Sequence, residues 1–225
     1  MRFYIFLAYI VFFTSCENNS DTTKINKKTN QYEINGEVKN RDNNWIYLSI
    51  INKNQFHILD STQIINGKFR FTGKLEAPKK ASLHMKKYDG FFVFILANET
   101  IKIELSNNIN KSLVYNSSTN DELQRVTKES EQIFKKIDYL FPLLQKARME
   151  NDAEKLELIN NKIKAIIKEN NKYITQYIIK HPNSYVSGIL LNDLWNNPEK
   201  DSVYLIELAK KLPKNIQNNL DFVIQ

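Results

Sequence analysis

Few groups in this 225-residue chain could make or break bonds. There is one cysteine, Cys16, and there are three histidines, His57, His84 and His181. A lone cysteine excludes a disulfide framework, a zinc knuckle and a Cys-x-x-Cys redox pair, all of which need a second thiol. The histidines stand far apart, two in predicted strands and one at a predicted helix end. No His-x3-His or carboxylate spacing joins them into a metal site, and each reads as a scattered surface or cap residue. Ser61 and Ser187 lack the glycines of a Gly-x-Ser-x-Gly elbow, so a serine hydrolase has no support. Gly36, Gly67, Gly73, Gly90 and Gly188 are isolated from one another, which leaves no phosphate-cradling loop. The sequence therefore offers no catalytic residue, no cofactor-binding residue and no metal ligand.

Cys16 has another chemistry open to it. Arg2 supplies a positive start, and Phe3 to Phe13 form an unbroken apolar or aromatic run that leads through Thr14-Ser15 into the cysteine. As a helix the run spans roughly 16 Å against about 30 Å of bilayer hydrocarbon, so it reads as a secretory signal rather than a stable span. Phe13-Thr14-Ser15-Cys16 resembles a bacterial lipobox, in which the thiol is acylated and the cysteine becomes the mature N-terminus. Phe13 departs from the usual aliphatic residue three before the cysteine. A plain signal peptide followed by an incidental cysteine is the other reading. Glu17 stands where an aspartate would signal inner-membrane retention, which favours the outer membrane. Several acyl chains at about 0.8 kcal/mol per buried CH2 make such an anchor close to permanent.

The expected layout is a signal peptide over 1–15, a flexible tether over 16–31, a β-sandwich over 32–116 and a helical region over 117–225. Glu17 to Gln31 contains one aliphatic residue, Ile25, among Asn, Thr, Lys and Asp, too little to offset the entropy of ordering. Asp21-Thr22-Thr23, Asp60-Ser61-Thr62 and Asp201-Ser202-Val203 resemble a short acceptor pattern for O-glycosylation of exported bacterial proteins. Only Thr22, on the tether, is clearly accessible.

The elements follow from periodicity. YEINGEV, WIYLSII, FHILDSTQII, KFRFTGKL, ASLHMKK, FFVFIL and TIKIEL are strand-length runs. Asn35-Gly36, Asn40 to Asn44, Asn52 to Asn54, Asn66-Gly67, Asp89-Gly90 and Asn98 stand as turn signals, because Asn and Gly accept the positive φ of tight hairpins. Asn66-Gly67 is the clearest hairpin. Seven or eight short antiparallel strands imply a β-sandwich, since each sheet must cover its apolar face with another layer.

From Thr119 onward the period changes to three and four. Leu123, Val126, Ile133, Ile137, Leu140, Phe141 and Leu144 mark a first helix that Pro142 must kink or end. A second runs from about Asp152 to Lys180, and the pair forms an αα-hairpin joined near Glu150 to Asp152. Asn183 or Ser184 can cap a short helix through Trp195, and Asn197-Pro198 is expected to start another that ends before Pro213. The fold class is thus α+β, an antiparallel β-sandwich followed by a helical bundle or hairpin region.

The ordered set Glu33-Ile34-Asn35-Gly36, Leu59-Asp60-Ser61-Thr62, Asn66 to Gly73, Phe92 to Leu96 and Ile101 to Leu105 resembles a domain of unknown function. That domain is found N-terminal to the thioredoxin-like domain of bacterial envelope thiol-disulfide oxidoreductase lipoproteins. Lys180 to Ser187 resembles the helical linker that follows it, so the similarity covers roughly residues 32 to 195. The matching positions Asp60, Ser61, Gly67, Phe69 and Gly73 imply structure rather than catalysis, with Asp60 and Ser61 capping a strand or turn and the phenylalanines filling the sandwich. The redox chemistry of the family is not carried over, because there is no second cysteine.

Net charge is +7, about +6 without Arg2, and pI is near 9.2. Lys162, Lys164 and Lys168 alternate with Glu154, Glu157 and Glu169, the pattern of a solvated helix face rather than a phosphate-binding stripe. Export also argues against nucleic acid. The aromatic pair Phe91-Phe92 reads as strand rather than as a carbohydrate platform. The sequence thus points to a lipid-anchored envelope protein, a non-enzymatic binding or accessory module whose partner is an envelope protein or glycan. The alternatives are the non-catalytic N-terminal part of a thiol-disulfide oxidoreductase and a lipoprotein that dimerises through its long amphipathic helices.

Overall fold

The computed structural model describes residues 30–39, 41, 43–53, 55–86 and 90–222. Eight strands form two four-stranded sheets. The first sheet has β4 (Lys68–Gly73), β1 (Tyr32–Val38), β7 (Thr100–Leu105) and β8 (Leu113–Tyr115) in that order. The second has β3 (Gln55–Gln63), β2 (Trp45–Asn52), β5 (Lys79–Met85) and β6 (Phe92–Leu96). Alternate residues of both sheets, among them Ile34, Leu48, Phe71, Leu83, Phe94 and Ile103, meet in one buried core. The helices follow as α1 (Ser118–Asp138), α2 (Phe141–Met149), α3 (Ala153–Lys180), α4 (Tyr185–Trp195), α5 (Ser202–Lys210) and α6 (Lys214–Gln217). The expected α+β architecture is the observed one.

Several local expectations need correction. The sandwich is not wholly antiparallel, because β1 and β7 pair in parallel from Glu33↔Thr100 to Val38↔Leu105. The chain leaves the first sheet after β1, adds β2 and β3 to the second, returns as β4 antiparallel to β1, adds β5 and β6 to the second, and re-enters as β7 in the direction of β1, so β2 to β6 lie within the long connection a parallel pair requires. Asn35-Gly36 is not a turn. It lies in the middle of β1, where Gly36 faces Phe69 of β4. Asp60 and Ser61 cap neither a strand end nor a turn. They sit inside β3, beside a bulge that places Ile58 opposite Ser49 and Asp60 opposite Leu48, and the Asp60 carboxylate accepts the Ser61 N–H at 2.7 Å. The phenylalanines do fill the core, with Phe69 and Phe71 both buried.

Asn66-Gly67 is a tight turn, with φ of 51° and 70° and reciprocal bonds between Ile65 and Lys68. The strands it joins belong to different sheets, so the turn carries the chain across the sandwich.

The first three helix-start signals lie within two residues of the observed caps. Ser117, Asp152 and Ser184 cap α1, α3 and α4 with their side-chain oxygens. Pro142 separates α1 from α2 and sits in the first turn of α2, where its missing N–H costs nothing. Asn197-Pro198 does not start a helix. α5 begins later, because the Asp201 carboxylate accepts the Tyr204 N–H at 3.0 Å. α1 and α2 fold back on α3, and a second core gathers Val126, Ile178, Val186, Leu191, Leu208 and Ile216 around Ile95 of β6. Ile95 points away from the sandwich core and so joins the helices to the outer face of the second sheet.

Candidate functional site

Cys16 and Thr22, the predicted lipidation and glycosylation positions, lie outside the described residues. The remaining candidates are not brought together. His57 is exposed on β3, and His181 is the C-cap residue of α3, stacked on Tyr177 at 4.2 Å. Ser61 is exposed in mid-strand, whereas Ser187 is fully buried in α4 and donates to the His181 carbonyl at 2.7 Å. Among the described residues no three His, Cys, Asp or Glu side chains gather as a metal site. No described helix is long and apolar enough to cross a membrane.

His84 differs from its expected role as a surface or cap residue. It is half-buried on β5 and stacked on its cross-strand partner Tyr47, with ring centroids 5.2 Å apart. Among the described residues its buried Nδ1 has no hydrogen-bond partner, and burial holds its pKa below the ordinary histidine range, which favours the neutral ring.

Tyr47 and His84 form part of an open groove of about 570 Å³ on the outer face of the second sheet, with Phe56, Ile58, Lys86 and Phe91 as further lining. Alternation along β2 and β5 sends Ile46, Leu48, Leu83 and Met85 inward and therefore Tyr47 and His84 outward. Phe91, expected as a strand residue, stands just before β6 and packs edge-on against Phe56 at 4.8 Å. The rest of this outer face lies under the helices. Lys80 pairs with Asp193 of α4 at 2.7 Å, and Lys79 donates to Asn219 at 3.1 Å. The groove is where the helical cover ends. An apolar floor with an imidazole edge and one ammonium at the rim suits recognition of an amphipathic group. Among the described residues no carboxylate is hydrogen-bonded to His84.

A second polar cluster ties the sandwich to α1. Asn120 accepts the Ile95 N–H and donates to the Ile95 carbonyl, both at 2.8 Å, which closes the free edge of β6 as a neighbouring strand would. Asn120 also donates to Ser117 Oγ at 2.8 Å, and the Ser117 hydroxyl donates to the buried carboxylate of Glu99. Burial raises the Glu99 pKa above the usual carboxylate range against the opposing Ser117 bond, and Asp121 adds to the rise. Nothing in the one-dimensional pattern links Glu99 to Ser117 or Ile95 to Asn120, which lie 18 and 25 residues apart. The Phe91-Phe92 pair and the charge-poor run from Gln55 to Leu59 were the available signals for the groove.

The matched boundaries follow these elements. Residues 32–123 match the family model of a domain of unknown function (DUF4369). The domain begins with the first residue of β1 and ends in the second turn of α1, so it takes in the whole sandwich and the Glu99–Ser117–Asn120 clasp. No curated protein matches the chain. The helices beyond residue 123 lie outside the family match.

Proposed function

We propose that the chain is a lipid-anchored cell-envelope protein whose sandwich acts as a non-enzymatic binding or accessory module, held to the membrane through Cys16. The observation that carries the binding role is the groove of Tyr47, Phe56, Ile58, His84 and Phe91, an apolar recess that the helices leave open. The anchor rests on Arg2, the apolar run Phe3 to Phe13 and the lipobox-like Phe13-Thr14-Ser15-Cys16. Glu17 in place of aspartate favours the outer membrane, with the sandwich facing the periplasm or the surface. An envelope protein or glycan is the partner class.

The test is expression of the full chain in a diderm bacterium fed an alkyne fatty acid. Labelled protein in the outer-membrane fraction, lost on Cys16→Ala, is the expected result. An unlabelled, freely soluble wild-type chain would remove the anchor. Turnover of ester, peptide or disulfide substrates by the purified chain would remove the non-enzymatic role. Thr22 is the candidate glycan acceptor on the tether, and an unshifted mass for the tether peptide from host material rejects it.

A second reading is favoured by the resemblance of residues 32 to 195 to the front part of envelope thiol-disulfide oxidoreductases. A thioredoxin-like reading frame with Trp-Cys-x-x-Cys directly downstream in the gene supports it, and unrelated sequence there counts against it.

A further inference from the structure

The two sheets have four lateral edges, and three are protected. β4 carries exposed Lys68 and Arg70, β8 is three residues long, and β6 is closed by the Asn120 amide. The fourth edge is β3. It is nine residues long, holds no proline and one charged residue, Asp60, and exposes Phe56, Ile58 and Leu59 by 46%, 63% and 44%. Trp45 of the neighbouring strand and Phe91 add 52% and 49% exposure beside it. Together these five side chains leave on the order of 500 Å² of apolar surface around one open strand. With the main chain of β3 added, that approaches the roughly 800 Å² per partner of a stable interface.

We propose that β3 pairs antiparallel with β3 of a second copy of this chain, making one continuous eight-stranded sheet across a two-fold axis. One register makes the edge self-complementary in charge. With the axis between Ile58 and Leu59, His57 of each copy lies opposite Asp60 of the other, Phe56 opposite Ser61, and Ile58 opposite Leu59. The observed bulge makes this register consistent with the faces. His57 and Asp60 both stand opposite inward residues of β2, Ile50 and Leu48, whereas Phe56 and Ser61 both stand opposite outward ones, Ile51 and Tyr47. Two imidazole–carboxylate contacts then flank the axis, and the bulge, the one irregularity of the edge, is placed on the axis itself. Such an isologous contact uses the same patch on both copies and closes without leaving an open edge. This dimer shares Phe56, Ile58 and Phe91 with the groove, whereas His57 and Asp60 lie outside the groove lining and test the pairing apart from it; it differs from pairing through the long helices.

The test is the mass of the full chain in mild detergent, by sedimentation equilibrium, for the wild type and for β3 variants checked for native circular dichroism. The expected result is a wild-type dimer that Ile58→Lys converts to monomer. His57→Asp sets carboxylates against carboxylates and weakens the dimer by about tenfold or more. The double change His57→Asp with Asp60→His restores it, because the pair is only exchanged. A wild-type monomer up to about 0.1 mM, well above the micromolar range of weak dimers, overturns the proposal. So does a dimer indifferent to Ile58→Lys, or one that the double exchange fails to restore.

Discussion

The ring of Phe69 on β4 lies across Gly36 on β1, its cross-strand partner, so closely that a β-carbon at position 36 would stand 1.9 Å from Phe69 Cζ. At the other end of the same strand pair the relation is reversed. Tyr32 of β1 covers Gly73 of β4, where a β-carbon would stand 2.4 Å from the tyrosine hydroxyl oxygen. Each strand gives one glycine and receives one aromatic ring, which pins the register of β1 against β4. Gly36→Ala must displace a buried ring and is expected to cost about 1–3 kcal/mol. Urea denaturation measures it. Phe69→Leu in the same background should be less damaging than the two separate costs added together, and strict additivity would mean that the ring does not meet position 36.

Asn120 joins the two halves of the fold through the main chain of Ile95 rather than through a side chain. Asn120→Ala leaves a buried N–H and a buried carbonyl without partners, at about 1–3 kcal/mol each. Hydrogen exchange is the discriminating measurement. The Ile95 amide should lose protection more than the amides of β5, and equal loss across the sheet would argue against a local clasp.

These two contacts show what the sequence could and could not reveal. Asn66-Gly67, Asp152 and Ser184 act within three residues of themselves, through φ or through a cap, and such local chemistry leaves a readable mark. Asn35-Gly36 carries the same dipeptide signal as Asn66-Gly67, yet lies in a strand, because Gly36 is required by a ring 33 positions away. The parallel pairing of β1 with β7 and the short strand β8 likewise depend on which sheet the chain re-enters, and no periodicity records that choice. The groove was hidden for a related reason. Tyr47 and His84 look like ordinary strand residues until the helices are seen to cover one part of the outer face and to leave theirs open.

Ser49 of β2 and Ser82 of β5 are cross-strand partners on that covered face, both fully buried, and neither hydroxyl has a hydrogen-bond partner among the described residues. A buried hydroxyl without a partner opposes folding, and removing it relieves the desolvation while leaving only a small void. Ser82→Ala is therefore expected to stabilise the protein by about 1 kcal/mol, and the double change with Ser49→Ala by more. Thermal denaturation at one pH suffices, and a loss of stability in both single variants would show that these hydroxyls are satisfied in solution.

Glu99 and His84 give the stability of the protein two opposed responses to acid. The folded-state pKa of Glu99 is raised by burial, so its contribution is fully present below the ordinary carboxylate value of about 4.3 and is lost as pH rises through the folded value. The folded-state pKa of His84 is lowered by burial. Its contribution is present above about 6.5 and is lost as pH falls through the folded value, because the unfolded chain takes up the proton first. Glu99→Gln keeps an acceptor for the Ser117 hydroxyl while removing the buried charge, so the variant should melt above the wild type at pH 7, with the gap closing on acidification toward pH 4.5. His84→Phe keeps a ring against Tyr47 and removes the titration. Its advantage should appear only below about pH 6.5, the unperturbed histidine value, and widen as the pH falls. Melting curves of the three proteins across this range separate the two groups. A gap between Glu99→Gln and wild type that grows in acid would mean that the hydrogen bond from Ser117 outweighs burial and holds the carboxylate charged.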